Sequence, residues 1–264
     1  MPNTIVFLVE SGFKYFKLKQ EVYLSKRKSK LYQVEGNTVL EFPNYYKKKR
    51  QVLLLPKTLN QETYINSLTD PDKHIVFATG PAGSGKTLLA MLAAIKALKS
   101  GEVTKIILTR PAVGVDDEQH GFLPGDLNSK MEPWTRPLFD VLSEYYEKRE
   151  ITQMLDEQII EIAPLAFMRG RNLKYAFIVA DEMQNATVNQ MKMVLTRISE
   201  GSKLVITGDL NQRDRKFEQD NGLMDFLTRL NLTGSSSISH VNFATKDVQR
   251  HAVVTEVLKL YGDT

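Results

Sequence analysis

The chain contains no cysteine and only four histidines, and each scarcity excludes a kind of chemistry. Without cysteine the protein forms no disulfide and no thiolate metal site. The histidines are scattered at spacings unlike those of metal ligands: they are His74, His120, His240 and His251. A zinc or redox enzyme is therefore disfavoured. The lack of cysteine also fits a reducing compartment, so we expect a cytoplasmic protein.

Long hydrophobic runs and a guanine-reading motif are also missing from the sequence. No apolar run approaches the roughly 20 residues that span a membrane. The first residues, MPNTIVFLVESGFK, lack the basic start of a signal peptide. We therefore expect no membrane partner. No Asn-Lys-x-Asp motif occurs, which disfavours a guanine-nucleotide switch.

Basic residues are concentrated at the front of the chain, although the formal net charge is only +4. Residues 1–50 hold 11 Lys and Arg against 4 Asp and Glu, whereas residues 51–264 hold 24 against 27. The basic segments KYFKLK, SKRKSK and YYKKKR are interleaved with aromatic residues, which suits either a nucleic-acid partner or a solvated arm. Alternating stretches (NTIVFLVE, EVYLS and NTVLEF, with a turn at EGN) predict a small β-rich region. We place this region and its linker at residues 1–56, and the main domain at residues 57–264.

The main domain alternates between short apolar runs and helical stretches. Strands are predicted at residues 74–80, 105–111, 159–165, 175–182 and 203–209, and helices at residues 87–101 and 191–201. Strands without polar alternation, separated by helices, indicate a mostly parallel sheet covered by helices on both faces. The predicted fold class is therefore α/β. In such sheets, ligands bind beyond the carboxyl ends of the strands.

The segment GPAGSGKT, residues 80–87, matches the phosphate-binding loop G-x-x-x-x-G-K-[ST] between a strand and a helix. Its glycines allow backbone N–H groups to face a phosphate at a helix N-terminus. Lys86 is expected to contact the β- and γ-phosphates of ATP, and the Thr87 hydroxyl to bind Mg²⁺. The full set of predicted phosphate-loop ligands is Gly80, Pro81, Ala82, Gly83, Ser84, Gly85, Lys86 and Thr87.

Two adjacent carboxylates end the apolar run in FIVADEMQNAT, residues 177–187. Asp181 is predicted to hold the Mg²⁺ through water. Glu182 is predicted to orient and deprotonate the water that attacks the γ-phosphate. A kinase that transfers phosphate to a metabolite does not need this second acid. The pair therefore favours an ATP hydrolase over a small-molecule kinase or a solvated strand end.

Two further polar positions are candidates for the nucleotide site. In TGDLNQ, residues 207–212, Asp209 and Gln212 are predicted to sense the γ-phosphate and the attacking water, although a plain Gly-Asp turn is an alternative. Gln61 precedes the phosphate loop by about 20 residues. Its candidate role is to read adenine, and the alternative is a solvated glutamine at a helix start.

The order of these motifs resembles the first motor domain of superfamily-one helicases. From about Leu59 to Tyr261 the chain closely resembles the PhoH-like family of ATPases, most specifically in GFLPGDL, PLAFMRGR, QMKM-x-LTRI and DVQRH. The resemblance implies a RecA-like P-loop NTPase core that acts on RNA, or another single-stranded nucleic acid, and often assembles in rings. The segment after Gln212 lacks the family's usual Asp-Leu-Pro. The basic front region lies outside the resemblance.

Arginines are the remaining candidates, because about 56 residues after Gly208 are too few for a second motor domain. An arginine finger is therefore expected from a neighbouring subunit in a homo-oligomer, such as a hexameric ring. Arg250 is the first candidate for this catalytic role, and an ordinary ion pair is the alternative. The alternative candidates for the arginine finger are Arg110, Arg169 and Arg171. The same three residues are the predicted contacts with nucleic acid. A nucleotide-gated binding module with little turnover remains the main competing function.

Overall fold

The computed structural model describes residues 51–111, 139–212 and 221–249, with four strands among residues 5–41 and positions 253, 254, 257 and 260. The contacts divide the chain into two compact units, Met1–Arg50 and Gln51–Thr264. This division groups residues 51–56 with the larger unit. The predicted domain boundary at residues 56–57 stays a prediction.

The first unit contains an antiparallel sheet in the order β2-β1-β3-β4. Its strands are β1 (Ile5–Val9), β2 (Gly12–Tyr15), β3 (Leu31–Glu35) and β4 (Thr38–Glu41). Two of the predicted β-stretches coincide with β1 and β4, and the third, EVYLS, lies outside the described residues. The predicted EGN turn falls where Glu35 pairs with Thr38. The β-rich character predicted for the front of the chain is therefore confirmed.

The second unit contains, within its described residues, a six-stranded sheet in the order β10-β5-β9-β8-β6-β7. All neighbouring strands in it are parallel. The strands are β5 (Ile75–Thr79), β6 (Lys105–Arg110), β7 (Ile160–Pro164), β8 (Ala176–Ala180), β9 (Lys203–Gly208) and β10 (Ile238–Asn242). This arrangement confirms the predicted α/β fold with a parallel sheet. The sequence analysis missed β10.

The sheet is covered on both faces because successive side chains of its strands enter two different apolar clusters. In β5, Val76 and Ala78 belong to one cluster and Phe77 to the other. In β6, Ile106 packs into the first cluster and Ile107 into the second. Successive side chains of a strand point to opposite faces of the sheet. Because both faces are buried here, these strands show no alternation of polar and apolar residues. The continuous apolar runs in the sequence follow from this two-sided burial.

Helices pack on the sheet or at its margins. Those described over their whole length are α1 (Leu59–Thr69), α2 (Lys86–Ser100), α3 (Lys148–Asp156), α4 (Val188–Leu195) and α5 (Gly222–Thr233), and residues 139–145 are helical as well. The predicted helix at 191–201 has the wrong bounds. The Thr187 side chain caps α4 by accepting from the N–H of Gln190, so the helix begins earlier. It ends at Leu195, where the Thr196 hydroxyl donates to carbonyls of the last turn.

Lys203, the first residue of β9, caps the carboxyl end of α1. Its ammonium donates to the carbonyl oxygens of Leu68 at 2.8 Å, Asp70 at 2.7 Å and Ser67 at 3.3 Å. Burial lowers the pKa of Lys203 to about 8, against a smaller opposing effect of Asp70. Lys203 therefore satisfies carbonyls that the helix itself leaves without donors.

We expect replacement of Lys203 by methionine to destabilise the protein by about 1–3 kcal/mol, because buried carbonyls lose a charged donor. The folded-state pKa lies below the unfolded value, so between about pH 8 and pH 10.5 the unfolded chain binds more protons. Over that interval the free energy of unfolding of the wild type should rise relative to that of Lys203→Met. Denaturant unfolding below and above pH 8 measures both effects. Lys105→Met, at the first position of β6, is the matched control; equal losses in both variants would contradict the prediction.

Candidate nucleotide site

The order of the strands brings the predicted site residues to one edge of the sheet. Strand β9 lies between β5 and β8. The phosphate loop follows β5, Asp181 follows β8 and Asp209 follows β9. All three therefore lie at the carboxyl ends of adjacent parallel strands, where ligands of such sheets bind.

The segment 80–85 forms a tight loop that ends at the N-terminus of α2. Gly80, Gly83 and Gly85 have φ values of +133°, +83° and +86°, which only glycine adopts without strain. A side chain at Gly80 would also collide with the backbone carbonyl of Phe243. Helix α2 begins at Lys86 with no side-chain cap, so its first N–H groups are open to an anion.

Lys86 lies beneath this loop and is only 9% exposed. Its ammonium donates to the carbonyl oxygens of Gly80 at 2.6 Å and Pro81 at 2.9 Å. Burial lowers the pKa of Lys86, and the carboxylates of Asp209, Asp181 and Glu182 act in the opposite direction. The cation is therefore held at the loop and faces a group of acids.

Asp181 is fixed by hydroxyl groups from two other elements. The Thr87 hydroxyl donates to Oδ1 of Asp181 at 2.9 Å, and the Thr207 hydroxyl of β9 donates to the same oxygen. Hydroxyl and carboxylate oxygens are ligands that Mg²⁺ accepts. No cluster of three or more His, Asp or Glu able to hold a metal occurs in the described part of the chain. Sequence reasoning missed Thr207.

Glu182 has a backbone conformation that is uncommon for its residue type, with φ of +54°. Its carboxylate accepts from the amide Nε2 of Gln184 at 2.5 Å. Gln184 is 2% exposed, and its Oε1 accepts from the backbone N–H of Asp209 at 3.1 Å. One buried amide thus joins the second acid to the end of the neighbouring strand. The sequence analysis gave Gln184 no role.

The segment after β9 forms a turn that also borders the nucleotide site. Asp209 is buried, and its Oδ1 accepts from the N–H of Asn211 at 3.0 Å. Gln212 is exposed, and its N–H donates to the Asp209 carbonyl. The turn expected as an alternative is therefore present, and both side chains line the cleft described below. Their roles in sensing the γ-phosphate stay predictions.

Gln61 of α1 is 4% exposed, so the alternative of a solvated glutamine is wrong. Its Nε2 donates to the Ser84 carbonyl at 3.0 Å, and its Oε1 accepts from the N–H of Lys57 at 2.8 Å. Gln61 therefore ties α1 to the phosphate loop. Its predicted contact with adenine stays a prediction.

These residues line one cleft of about 590 Å³. One wall is polar and carries Lys86, Thr87, Asp181, Glu182 and Asp209. The other wall is apolar and includes the exposed side chains of Leu53, Leu55 and Leu88. Leu53 and Leu55 belong to the segment that the sequence analysis assigned to a linker. Their position gives the cleft an apolar surface beside its phosphate loop, as a nucleotide requires.

Three of the four predicted arginines lie at the same edge of the sheet and do not line this cleft. Arg110 ends β6, and Arg169 and Arg171 follow β7. Arg171 is paired with Glu161, which raises the pKa of its guanidinium through that hydrogen bond. Arg250 lies outside the described residues. Its neighbour Gln249 lines the cleft and donates its N–H to the Gly83 carbonyl at 2.9 Å.

The parallel sheet, the glycine loop at its carboxyl edge and the paired acids beside it are the architecture of a RecA-like P-loop NTPase core. The family model described as PhoH-like protein matches residues 53–262, and the chain belongs to this family. No helix in the described ranges is long and apolar enough to cross a membrane.

Curated relatives share this family over most of the chain. A PhoH-like protein of Mycobacterium leprae is 44% identical over 218 residues, which are 81% of this chain and 60% of that protein. A PhoH-like protein of Synechocystis is 43% identical over 215 residues, covering 81% and 64%. Protein PhoH of Escherichia coli K12 is 39% identical over 192 residues, covering 72% and 53%. The chain therefore spans little more than half to just under two thirds of the length of these relatives.

Two solved structures are similar at lower identity. The large terminase of a thermophilic bacteriophage is 12% identical with a TM-score of 0.45, and the match covers 75% of this chain and 49% of that one. The SWI2/SNF2 ATPase core of Sulfolobus solfataricus in complex with dsDNA is 19% identical with a TM-score of 0.38, covering 72% and 40%.

Proposed function

We propose that the chain is a Mg²⁺-dependent ATPase that couples ATP hydrolysis to the binding or remodelling of RNA or another single-stranded nucleic acid. The observation that carries this proposal is the buried amide of Gln184. Its Nε2 donates to the Glu182 carboxylate at 2.5 Å, and its Oε1 accepts from the backbone N–H of Asp209 at 3.1 Å. Glu182 and Asp209 both line the cleft that holds the phosphate loop. A second carboxylate held in place suits activation of water, which a metabolite kinase does not need.

The residues of the cleft have separate tasks in this reaction. Lys86 and the N–H groups of the loop bind the β- and γ-phosphates, and Thr87 and Asp181 hold the Mg²⁺. When bound, Mg²⁺ neutralises charge on the phosphate oxygens. Glu182 takes a proton from the attacking water while the oxygen of that water bonds to the γ-phosphorus. The bond from the γ-phosphorus to the bridging oxygen breaks, so ADP and phosphate leave, and Glu182 returns its proton to solvent.

The apolar wall of the cleft supports adenosine binding. Leu53 and Leu88 are about half exposed and Leu55 more so, and all three line the cleft together with the phosphate loop. A planar base covers such side chains from water and is stabilised by about 25 cal/mol for each Å² of apolar surface buried. Gln61 also lines the cleft, and the side-chain N–H that it does not donate to Ser84 is available to the base.

Turnover of ATP, measured with and without single-stranded RNA or DNA, tests this function. We expect phosphate release that requires Mg²⁺, stops with a chelator and increases with a single strand. Tight ATP binding without phosphate release would instead support a nucleotide-gated binding module. Conversion of ATP to ADP only with a small-molecule acceptor, with the phosphate transferred to that acceptor, would support a kinase.

We also propose that the active form is a homo-oligomer, such as a hexameric ring, in which Arg250 contacts the nucleotide of a neighbouring subunit. A lone RecA-like domain leaves its nucleotide exposed on one side, and a head-to-tail neighbour covers that side. The competing arrangement is a contact within one subunit, which the hydrogen bond from Gln249 to Gly83 favours.

A mixing experiment separates these two arrangements. Arg250→Ala subunits and Lys86→Ala subunits should each be inactive, and their mixture should recover part of the wild-type turnover. Recovery follows because some interfaces combine an intact phosphate loop with an intact arginine from the next subunit. Each variant alone, taken through the same mixing procedure at the same total concentration, is the control. No recovery in a demonstrated oligomer would place Arg250 in the same subunit, and full turnover by Arg250→Ala would remove it from catalysis.

A further inference from the structure

A second groove, open and about 410 Å³ in volume, lies between the loop after β7 and helix α4. It shares no lining residue with the nucleotide cleft. Three cationic side chains line it: Arg169 from the loop, Lys192 from the last turn of α4 and Arg197 from the segment after α4. We call it the Arg169 groove.

The positive charge of this groove is not neutralised by acids of the described residues. Arg169 and Lys192 are exposed and form no ion pair with a described carboxylate. Within the described part of the chain, Arg197 donates to neutral groups, among them the carbonyls of Met193 and Arg171, each at 3.2 Å. Arg171, one residue beyond Gly170, is by contrast paired with Glu161. Three adjacent cations without acidic partners repel one another, and an anionic ligand would relieve that repulsion.

The backbone of the groove is held in place from both sides. The bond from Arg197 to the Arg171 carbonyl connects the end of α4 to the loop after β7. Leu165 and Met168 anchor the single 3-10 turn before Arg169, because both are buried in the core. A surface fixed before binding loses little conformational entropy when a ligand binds.

An aromatic ring projects from the same turn. Phe167 is 56% exposed and lies two residues before Arg169. Phe167 is not one of the residues that line the groove, and an apolar ring left in water is unfavourable for stability alone. The combination of a basic groove and an exposed ring is the one with which proteins bind single-stranded nucleic acids, through phosphate contacts and base stacking.

We propose that the Arg169 groove binds the sugar-phosphate backbone of single-stranded RNA, with one base stacked on Phe167. A duplex does not fit this description, because its bases are paired and cannot lie on an isolated ring. The inference deepens the proposed function, on whose nucleic-acid partner it rests. It also narrows the predicted arginine contacts to Arg169 and adds Lys192 and Arg197, to which the sequence analysis gave no role.

The contribution of charge is tested by Lys192→Ala in the full chain. Binding of a fluorescent single-stranded RNA of about 12 nucleotides is measured by anisotropy over a range of salt concentrations. We expect weaker binding at low salt and a plot of log K against log salt that is shallower by about 0.7, because one phosphate contact is lost. The matched control is Lys96→Ala. Lys96 is an exposed helical lysine of α2, near His74 and Lys203 at the amino ends of the strands. Thermal unfolding checks that both variants fold.

The contribution of stacking is tested by Phe167→Ala and Phe167→Leu. Alanine should weaken RNA binding by about 5- to 150-fold with no change in the salt slope. Leucine keeps most of the apolar surface but has no aromatic face, so its affinity should stay close to that of the alanine variant. Wild-type affinity in Phe167→Leu would overturn the stacking contact.

Other outcomes separate this inference from the proposed function. Unchanged RNA affinity and salt slope in Lys192→Ala would overturn the groove as the binding site, as would an equal loss in Lys96→Ala. Binding of anionic lipid vesicles through Lys192 by a wild-type protein that ignores RNA would also overturn it. A wild-type protein that hydrolyses ATP without binding RNA contradicts the groove alone. One that binds RNA through Lys192 but never hydrolyses ATP supports the groove and contradicts the ATPase.

Discussion

Replacement of Lys86 by alanine is expected to lower ATP turnover by about 1,000-fold or more, which amounts to loss of activity in a standard assay. In the structure the Lys86 ammonium lies within 2.9 Å of two carbonyls of the phosphate loop, and acids surround it. Among the described residues, the other lysine that lines the cleft is Lys57, whose backbone N–H donates to Gln61 of α1. Without Lys86, the negative charge that develops on the phosphates faces the surrounding carboxylates with no loop cation between them.

The control for this variant is Lys96→Ala, an exposed position on the same helix, which should keep wild-type turnover. Phosphate release under saturating ATP and Mg²⁺ is the measurement. Thermal unfolding shows whether the protein still folds without the three hydrogen bonds that the Lys86 ammonium donates, to the carbonyls of Gly80 and Pro81 and to the Ser84 hydroxyl. Alanine itself suits the first turn of α2. Full activity in Lys86→Ala would contradict the ATPase proposal.

Replacement of Glu182 by glutamine is expected to lower turnover by about 10²- to 10⁴-fold while ATP affinity stays near that of the wild type. The amide has nearly the same shape as the carboxylate, and its oxygen still accepts from Nε2 of Gln184. It cannot take a proton from water. The variant should therefore bind ATP and fail to hydrolyse it.

Binding of a fluorescent ATP analogue and phosphate release, measured on the same preparation, distinguish the two effects. Glu200→Gln is a suitable control because Glu200 is an exposed glutamate just before the amino end of β9, whereas the cleft lies at the carboxyl ends of the strands. If affinity and turnover fell together in Glu182→Gln, Glu182 would hold the metal or the fold and would not act as the base.

The sequence predicted the parts of the site that depend on local signals. Each of these parts is marked by consecutive residues. The glycines of residues 80–85 lie between an apolar strand and the helix that begins at Lys86, and the two acids directly follow the apolar run of β8. The structure places them as expected at the carboxyl edge of the sheet. The capping pattern Thr187-x-x-Gln190 was also available and would have corrected the start of α4.

Other features of the site depend on the order of the strands in the sheet. A single sequence does not show which strands are neighbours. Gln184 meets the backbone of Asp209 only because β9 lies beside β8. Strand β10 escaped prediction for a different reason. It is an edge strand paired with β5 alone, and of its residues only Val241 is fully buried, so it has no apolar run. Leu53 and Leu55 lie outside any predicted strand or helix, so the sequence did not show that they line the cleft.

The contact between the phosphate loop and Phe243 has a consequence for the order in which the chain folds. Phe243 donates its N–H to the Thr79 carbonyl at 2.7 Å, and its own carbonyl lies against Gly80. Thr79 also donates to the Asn242 side chain, 163 positions away in the sequence. During synthesis on a ribosome, β5 and its loop therefore emerge long before the strand that supports them. The nascent chain completes this cleft only after residue 249 has left the exit tunnel, so under the proposed function we expect ATP to stabilise the finished domain and not its precursors.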